Sequence, residues 1–366
     1  VKTYCILVFS GPSGGHLFPA QAFAEAAHQS SPDIRIVLVT SIRAHGLCSK
    51  FPSSIFSEIV YLPEFGSPIG LSLSGIRGLL SIPRAIWQSW QLLGRLKPQL
   101  VVGFGSFVSY FGVLFAVRRG IPTIIHEQNQ IPGKATRMLQ NNVNQIAVSF
   151  PQTDFQKTPS GSVIVSGLPI RKDIREGVVT MDQKKAQPFT ILICGGSQGS
   201  AFLNSAVLDA FSHISAEERS QFAVIHIAGM GHESQVSRRY QELAVCAEVY
   251  PFFEQMQLVY NRSHMAISRA GANSAFEQAL YGIPTVFIPY PHAEGHQNNN
   301  ALFFVKAGGA LMQRQNDQAS EWIAGVLRDW VRKPESYWTA SRKMRELACE
   351  NGHEQLWALA QKVLNK

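Results

Sequence analysis

Short, continuous apolar runs, each ending in a glycine-rich turn and followed by a helical stretch, recur along the chain in two series. The first series opens with Tyr4–Phe9 (YCILVF). It is apolar at every position rather than at alternate ones, the pattern of a strand buried on both faces of a parallel sheet. It runs into SGPSGGH at 10–16, and an alanine-rich stretch, Leu17–Gln29, then predicts a helix. Ile34–Thr40, Leu100–Val102, Thr123–His126 and Ile146–Val148 predict further strands, and 157–162 with SGLPIR at 166–171 predict an edge and a hinge. After a polar stretch at 177–188 the series restarts: Phe189–Cys194 (FTILIC), the turn GGSQGS at 195–200, and a helix from Ala201. Phe222–Ala228, Glu248–Tyr250, Met265–Ser268 and Thr285–Ile288 predict its later strands. From Ser320 the pattern is helical, with Trp322, Trp330, Trp338 and Trp357 as apolar anchors. The two halves are not a sequence repeat, yet both begin strand, glycine loop, helix. This predicts an α/β protein of two Rossmann-like domains facing a cleft, divided at 1–165 and 166–345, with a terminal helix at 346–366.

The stretch 268–301 carries the densest chemistry. Gly271–Ser274 predicts a tight turn into a helix whose first-turn amides and positive dipole end suit an anion. Glu277 lies about one and a half turns further, on the side from which a carboxylate can accept two ribose hydroxyls. His292–Asn300 reads as a loop holding one Glu, two His, one Gln and three Asn in nine positions, a set suited to a polyhydroxylated ligand. An ordinary strand–helix–strand unit with a polar surface loop has the same pattern. The first glycine loop lacks the GxGxxG spacing, and the second strand ends in Thr40-Ser41 without the acid that holds an adenine ribose, which disfavours a dehydrogenase. No Asp-x-Asp pair occurs. A diphosphate would therefore be met by helix N-termini, loop amides and Arg171, without metal or cofactor. Together these features describe a metal-independent sugar transferase.

Composition narrows the partners. The 366 residues are 45% hydrophobic and 16% charged, with a net charge of +8. The Lys and Arg residues are spread along the chain, so phosphorylated ligands or an anionic membrane are favoured over nucleic acid. Five scattered cysteines without a CxxC argue for a reducing compartment and against zinc. The N-terminus enters a strand directly, without a signal-peptide pattern. Residues 98–117 are uncharged, but Gly103, Gly105 and Ser106 divide them into strand, turn and helix rather than a span. Within 65–93, Ile82, Ile86, Trp87 and Trp90 share one helical face beside Arg84. Exposed, that face would enter a lipid interface; buried, it is a core helix.

Seven motifs in one order, GPSGGHLFPA, GFGSFVS, HEQNQIPG, SGLPIR, GGSQGS, SRAGANSAFE and HQNNNA, make nearly the whole chain resemble the MurG family of peptidoglycan glycosyltransferases, glycosyltransferase family 28. The resemblance implies the GT-B fold, with the acceptor on the first domain, UDP-GlcNAc on the second and the last helices crossing back to the first. It implies inverting transfer of GlcNAc from UDP-GlcNAc to the C4 hydroxyl of MurNAc in undecaprenyl-diphosphate-MurNAc-pentapeptide, turning lipid I into lipid II. Ser13, Gly14, Gly15 and His16 would form the acceptor-side loop at the reacting centre. Asn129 would bind sugar and Arg171 the diphosphate region. Ser197 and Gln198 would contact nucleotide phosphates, Phe253 would line the uracil pocket, and Ala272 and Asn273 would cap the diphosphate. Glu277 would take the ribose, and His296 and Gln297 the GlcNAc hydroxyls. A lipid-linked acceptor implies peripheral attachment at the cytoplasmic face of the bacterial plasma membrane, through Ile69–Trp90 against anionic lipid, with cell-wall synthesis and division proteins as candidate partners.

His16 is a candidate base because a free imidazole titrates near neutrality, and Glu127 is a second. Each also reads as purely structural. The chain departs from the family where Pro12 and Ser13 replace Gly and Thr, where Ser106 replaces a third glycine, and where His296 stands for a Gln found in some members. A related UDP-sugar transferase, a UDP-GlcNAc epimerase and a nucleotide-sugar sensor without turnover are the alternatives.

Overall fold

The computed structural model describes residues 4–63, 73–179, 189–196, 198–291 and 295–365. The chain divides into two compact units, Val1–Lys172 with Asn351–Lys366, and Asp173–Glu350. The crossings thus fall at Lys172 and Glu350 rather than at 165 and 345.

The first unit is built on a seven-stranded, wholly parallel sheet of order β3-β2-β1-β4-β5-β6-β7. Its strands are β1 (Cys5–Ser10), β2 (Arg35–Ser41), β3 (Glu58–Leu62), β4 (Leu100–Phe104), β5 (Thr123–Glu127), β6 (Gln145–Val148) and β7 (Ser162–Val165). Residues Ile6–Phe9, Ile36–Val39 and Leu100–Val102 are wholly buried, as their unbroken apolar runs require. β7, only four residues long, carries a short apolar run at Val163–Val165, yet it is exposed throughout. Helix α1 (Gly14–Ser30) covers one face of the sheet. The opposite face is packed by α2 (Leu73–Leu96) and α3 (Ser106–Arg118), with α4 (Lys134–Leu139) beside them.

Unit 2 holds a six-stranded parallel sheet of order β10-β9-β8-β11-β12-β13. These strands are β8 (Thr190–Cys194), β9 (Ala223–Ile227), β10 (Cys246–Tyr250), β11 (Met265–Ser268), β12 (Thr285–Phe287) and β13 (Ala310–Met312). Its helices are α5 (Ala201–Ser212), α6 (Glu233–Glu242), α7 (Met256–Arg262), α8 (Ala272–Leu280), α9 (His296–Lys306), α10 (Ala319–Arg332) and α11 (Pro334–Glu346). The last helix, α12 (Gly352–Leu364), belongs to unit 1, where Leu356, Trp357 and Ala360 join the α1 side of the core and Trp357 meets Phe23 edge-on at 5.9 Å.

In each sheet the strand order reverses once, between β1 and β4 and between β8 and β11. The loops leaving neighbouring strands there diverge to opposite faces and open a crevice at the strand C-termini, where doubly wound sheets take their ligands. The glycine loops of the sequence lie at these two points.

Two expected loops prove to be helical. α1 begins at Gly14, so Gly14, Gly15 and His16 are its first turn, with Ser13 at the N-cap. α9 begins at His296, so His296–Asn300 are helix and only the start of the expected polar loop precedes it; residues 292–294 lie outside the described residues. Polar residues crowded at a helix start satisfy backbone groups there, and this density looks like a loop from sequence alone.

Candidate active site

In unit 1 the loops after β1, β4 and β5 converge on His16. Its Nδ1 lies 2.9 Å from Ser13 Oγ, so the N-cap hydroxyl is turned to the imidazole rather than to the helix amides. Two glycines wall the ring. A Cβ at Gly11 would stand 2.9 Å from His16 Nδ1, and one at Gly105 would stand 2.8 Å from its Cδ2 and 3.0 Å from its Nε2. Gly105 also holds φ +82°, a conformation few other residues adopt. Burial pushes the His16 pKa down to about 4, so the ring is neutral at pH 7 rather than poised near its ordinary value. A neutral ring accepts a proton at Nε2 only when Nδ1 carries the hydrogen and donates it to Ser13 Oγ. Ser106, the departure from glycine, sits at φ +71°. Its Cβ lies 2.7 Å from where a Gly11 Cβ would be, so Gly11 is the residue that makes room for it.

Glu127 is placed differently from a base. Its Oε1 accepts from the Asn129 backbone N–H (3.0 Å) and side-chain Nδ2 (3.2 Å). Its Oε2 accepts from the Gly133 N–H (3.0 Å) and Thr136 Oγ1 (2.6 Å). Four donors fill both oxygens of a buried carboxylate, which shapes the 128–133 loop onto α4 and leaves it poorly placed to take a substrate proton. The same bonds hold Asn129 in the loop. His126 alongside is fully buried: Gln128 Nε2 donates to its Nδ1 (3.1 Å), so its Nε2 carries the hydrogen toward the Gly167 carbonyl (3.2 Å). Burial pushes this imidazole down to about 4, with the Gly167 bond opposing. The bond joins the HEQN motif to the SGLPIR motif. Beyond it, the Arg171 guanidinium lies over the Phe18 ring of α1 at 3.9 Å.

The unit 2 crevice is formed by the loops after β8 and β11. Gly199 (φ +73°) presses on the turn after β9, where an added Cβ would fall 2.5 Å from the Ala228 carbonyl oxygen and 2.6 Å from Gly229 Cα. Gln198 is exposed at the tip of this loop, and Ser197 lies outside the described residues. Ser200 caps α5 by accepting from the Leu203 N–H. Asn204 in the first turn of α5 donates to the same Ala228 carbonyl (2.9 Å), and its Oδ1 accepts from His226 Nε2 (2.9 Å). His226 Nδ1 in turn takes the Tyr240 hydroxyl (3.0 Å). This buried chain fixes the glycine loop from beneath.

Arg269, which follows β11, is buried and ties three loops: it donates to Ser200 Oγ (2.7 Å), the Ile288 carbonyl (2.8 Å) and Gln315 Oε1 (2.8 Å). Ala272 and Asn273 are the first residues of α8, so their amides are among those a helix start leaves for an anion. Glu277 lies in the second turn of α8, buried, and accepts the Tyr260 hydroxyl at its Oε2 (2.9 Å). Phe253, half-buried after β10, meets Tyr250 edge-on at 4.8 Å. Gln297 Oε1 accepts from the Tyr290 (2.9 Å) and Ala270 (3.3 Å) backbone N–H groups, so its Nε2 is the end left to meet a ligand. Asn299 and Asn300 also donate to backbone, at Gly295 and Ala270. Much of the polar capacity at 296–300 is thus spent on the fold. His296 opens α9.

Residues 6–148 match the glycosyltransferase family 28 N-terminal domain, and residues 190–356 match its C-terminal domain. The chain belongs to glycosyltransferase family 28. Among its relatives, a Chelativorans protein is 35% identical over 88% of this chain and 85% of its own length. One from Desulfotalea psychrophila is 29% identical over 99% of this chain and 97% of its own length. Both are named UDP-N-acetylglucosamine--N-acetylmuramyl-(pentapeptide) pyrophosphoryl-undecaprenol N-acetylglucosamine transferase. The solved structure of Acinetobacter baumannii MurG superposes with a TM-score of 0.78 at 24% identity, covering 99% of this chain and all of that one. The fold of this family 28 member is accordingly GT-B. A Staphylococcus aureus MnaA–UDP structure shares that fold at 13% identity and a TM-score of 0.71, covering all of this chain and 97% of the other.

The expected docking face lies on α2. Trp87 is 58% exposed and Trp90 44%, and Arg84 is exposed, whereas Ile82 and Ile86 are half-buried. Ala85, Ser89, Leu92 and Leu93 turn inward and make the core contact instead. Trp87 and Trp90 thus lie on the surface side of the helix, with Ile82 and Ile86 part-covered beside them. Trp90 stands edge-on to Phe115 at 5.4 Å, with the Arg119 guanidinium 3.7 Å from its ring centre. Residues 64–72 of the expected face lie outside the described residues. Among the described residues no helix is long and apolar enough to cross a membrane.

Proposed function

We propose that this chain transfers N-acetylglucosamine from UDP-GlcNAc to the C4 hydroxyl of MurNAc in undecaprenyl-diphosphate-linked MurNAc-pentapeptide. The observation that carries the reading is near-full-length similarity to relatives of that name, up to 35% identical in the comparison given above. In this reading the acceptor hydroxyl attacks the anomeric carbon, the configuration inverts, and UDP leaves with the electron pair of the broken C–O bond. His16 Nε2 takes the hydroxyl proton, its tautomer set by Ser13. Asn129 orients sugar, with Glu127 holding the loop that carries it. The helix starts at Ala272–Asn273 and beyond Ser197–Gln198 meet the diphosphate charge with aligned amides, a preorganised arrangement that stabilises the leaving group as it develops charge, and Arg171 adds a cation. Glu277 takes the ribose, Phe253 the uracil, and His296 with Gln297 Nε2 the GlcNAc hydroxyls. Trp87 and Trp90 with Arg84 seat the protein on anionic lipid, a combination of apolar and cationic attachment that is reversible.

The test is transfer of radiolabelled GlcNAc from UDP-GlcNAc to a short-chain lipid I analogue in the presence of EDTA. Labelled lipid-linked disaccharide is expected. UDP-GlcNAc binding without product, or conversion of UDP-GlcNAc itself to its C2 epimer, would overturn the reading.

A further inference from the structure

Glu277 and Tyr260 form a buried pair across two helices. Tyr260 lies in the second turn of α7, the helix that follows the Phe253 turn, and its hydroxyl donates to Glu277 Oε2 in α8 at 2.9 Å. The phenol is 2% exposed and the carboxylate residue 7%. A neighbouring phenol is used elsewhere: Tyr281, whose ring centre lies 5.2 Å from that of Tyr260, donates to the Ile174 carbonyl at 2.7 Å. Burial, and after it the Glu277 charge, push the Tyr281 phenol up. The carboxylate therefore lies between α7 and α8, with the Tyr260 phenol bonded to one of its oxygens. A Glu side chain has three rotatable bonds, and a hydrogen bond to one oxygen narrows the orientations open to the whole carboxylate.

We propose that Tyr260 is a positioning residue for ribose recognition: it holds the Glu277 carboxylate in the orientation that receives the nucleotide's ribose hydroxyls, and couples that orientation to α7 and the preceding Phe253 turn. This rests on the reading of Glu277 as the ribose ligand. Tyr260 itself touches no substrate in this scheme, so its removal weakens only the part of recognition that passes through Glu277.

The experiment compares UDP-GlcNAc with its 2′-deoxyribose analogue as donors for the wild-type chain, Tyr260→Phe, Glu277→Gln and the double variant, reading the ratio of kcat/KM for the two donors. A hydrogen bond from a ribose hydroxyl to a carboxylate makes the wild-type ratio about tenfold or more. Glu277→Gln should reduce it to about twofold, and Tyr260→Phe should lower it at least threefold from wild type, toward the Glu277→Gln value. The double variant should match Glu277→Gln alone. A tyrosine that only fills the core would slow both donors alike and leave the ratio at its wild-type value; that result overturns the proposal. A wild-type ratio retained by Glu277→Gln would instead remove the ribose assignment, and the proposal with it, while leaving transfer intact. The phenylalanine ring keeps the packing, and calorimetric binding of UDP against 2′-deoxy-UDP gives the same comparison without turnover.

Discussion

Replacing Glu127 with glutamine separates the two roles open to this carboxylate. The substitution keeps the volume but turns one oxygen into an NH2 group. Whichever way the amide is oriented, that NH2 faces two donors: the Asn129 N–H and Nδ2, or the Gly133 N–H and Thr136 Oγ1. Two bonds to a buried charged acceptor are lost, each of about 1.5–3 kcal/mol, and relaxation of the loop recovers part of that. We expect a loss of roughly 3 kcal/mol, which at about 2–4 °C per kcal/mol for a unit of this size lowers the melting temperature by roughly 6–12 °C. Turnover falls as well, because Asn129 and the loop are no longer held. Thr136→Val removes one bond from the same carboxylate and should lower the melting temperature in the same direction by a smaller amount. Calorimetric unfolding of the full chain, run beside steady-state transfer, reads both effects. An unchanged melting temperature in Glu127→Gln with kcat reduced by about a thousandfold would show that Glu127 is the base and refute the clamp.

Gly105→Ala should lower turnover by about a hundredfold while leaving UDP binding by calorimetry unchanged, because its Cβ would meet the His16 ring at 2.8 Å on a backbone of φ +82°. Ser106→Gly should raise the melting temperature slightly, by up to about 1 kcal/mol of relieved strain at φ +71°, less what glycine gains in the unfolded chain. A fall would show that the serine side chain contributes more than its backbone costs. Stability should also decline in acid. His126 and His226 are held by burial at about 4 and about 3, below the ordinary imidazole value. Above about pH 6.5 both folded and unfolded states carry them neutral; as pH falls from there toward 4 the unfolded chain binds protons that the folded one refuses. Urea unfolding across that window should lose about 2.7 kcal/mol per pH unit from the pair, and a flat profile between pH 6 and 4.5 would contradict it. Trp87→Ala should sharply weaken flotation with vesicles rich in anionic lipid without changing the melting temperature, since Trp87 is 58% exposed, whereas Trp90→Ala also removes packing on Phe115 and Arg119 and should lower it; retained flotation in the double variant would move the docking face elsewhere.

The fold class was legible along the chain because its signals are local. Strands buried on both faces must be apolar at each position, and 6–9, 36–39 and 191–193 are. Glycine loops must follow the strands at which the order reverses, since only there does a crevice open for a ligand. Four-residue β7 was not legible as a strand although Val163–Val165 are apolar, because a run of three beside a predicted hinge does not separate an exposed edge strand from a connector. Residue identity at 271–277 and 13–16 also picked out turns that the structure places after β11 and β1, where the strand order of each sheet reverses.

What each polar group does there was decided by contacts distant in sequence. A carboxylate reads the same whether it faces a substrate or four donors of its own loop, and only packing shows Glu127 to be surrounded. Gln297 reads from sequence as a whole amide for a ligand, and only the fold shows that its oxygen is taken by two backbone amides. Tyr260, Asn204 and His226 lie outside the quoted motifs, and Arg269 lies inside SRAGANSAFE without an assigned role, yet they hold Glu277, the 195–200 loop and Ser200 in place. The motif places a His at position 16, but only the fold shows Ser13 Oγ at its Nδ1 and the burial that lowers its pKa. Periodicity records which side of an element is buried; it does not record what a buried polar atom meets there, because that partner comes from another part of the chain and is chosen only when the sheets are assembled.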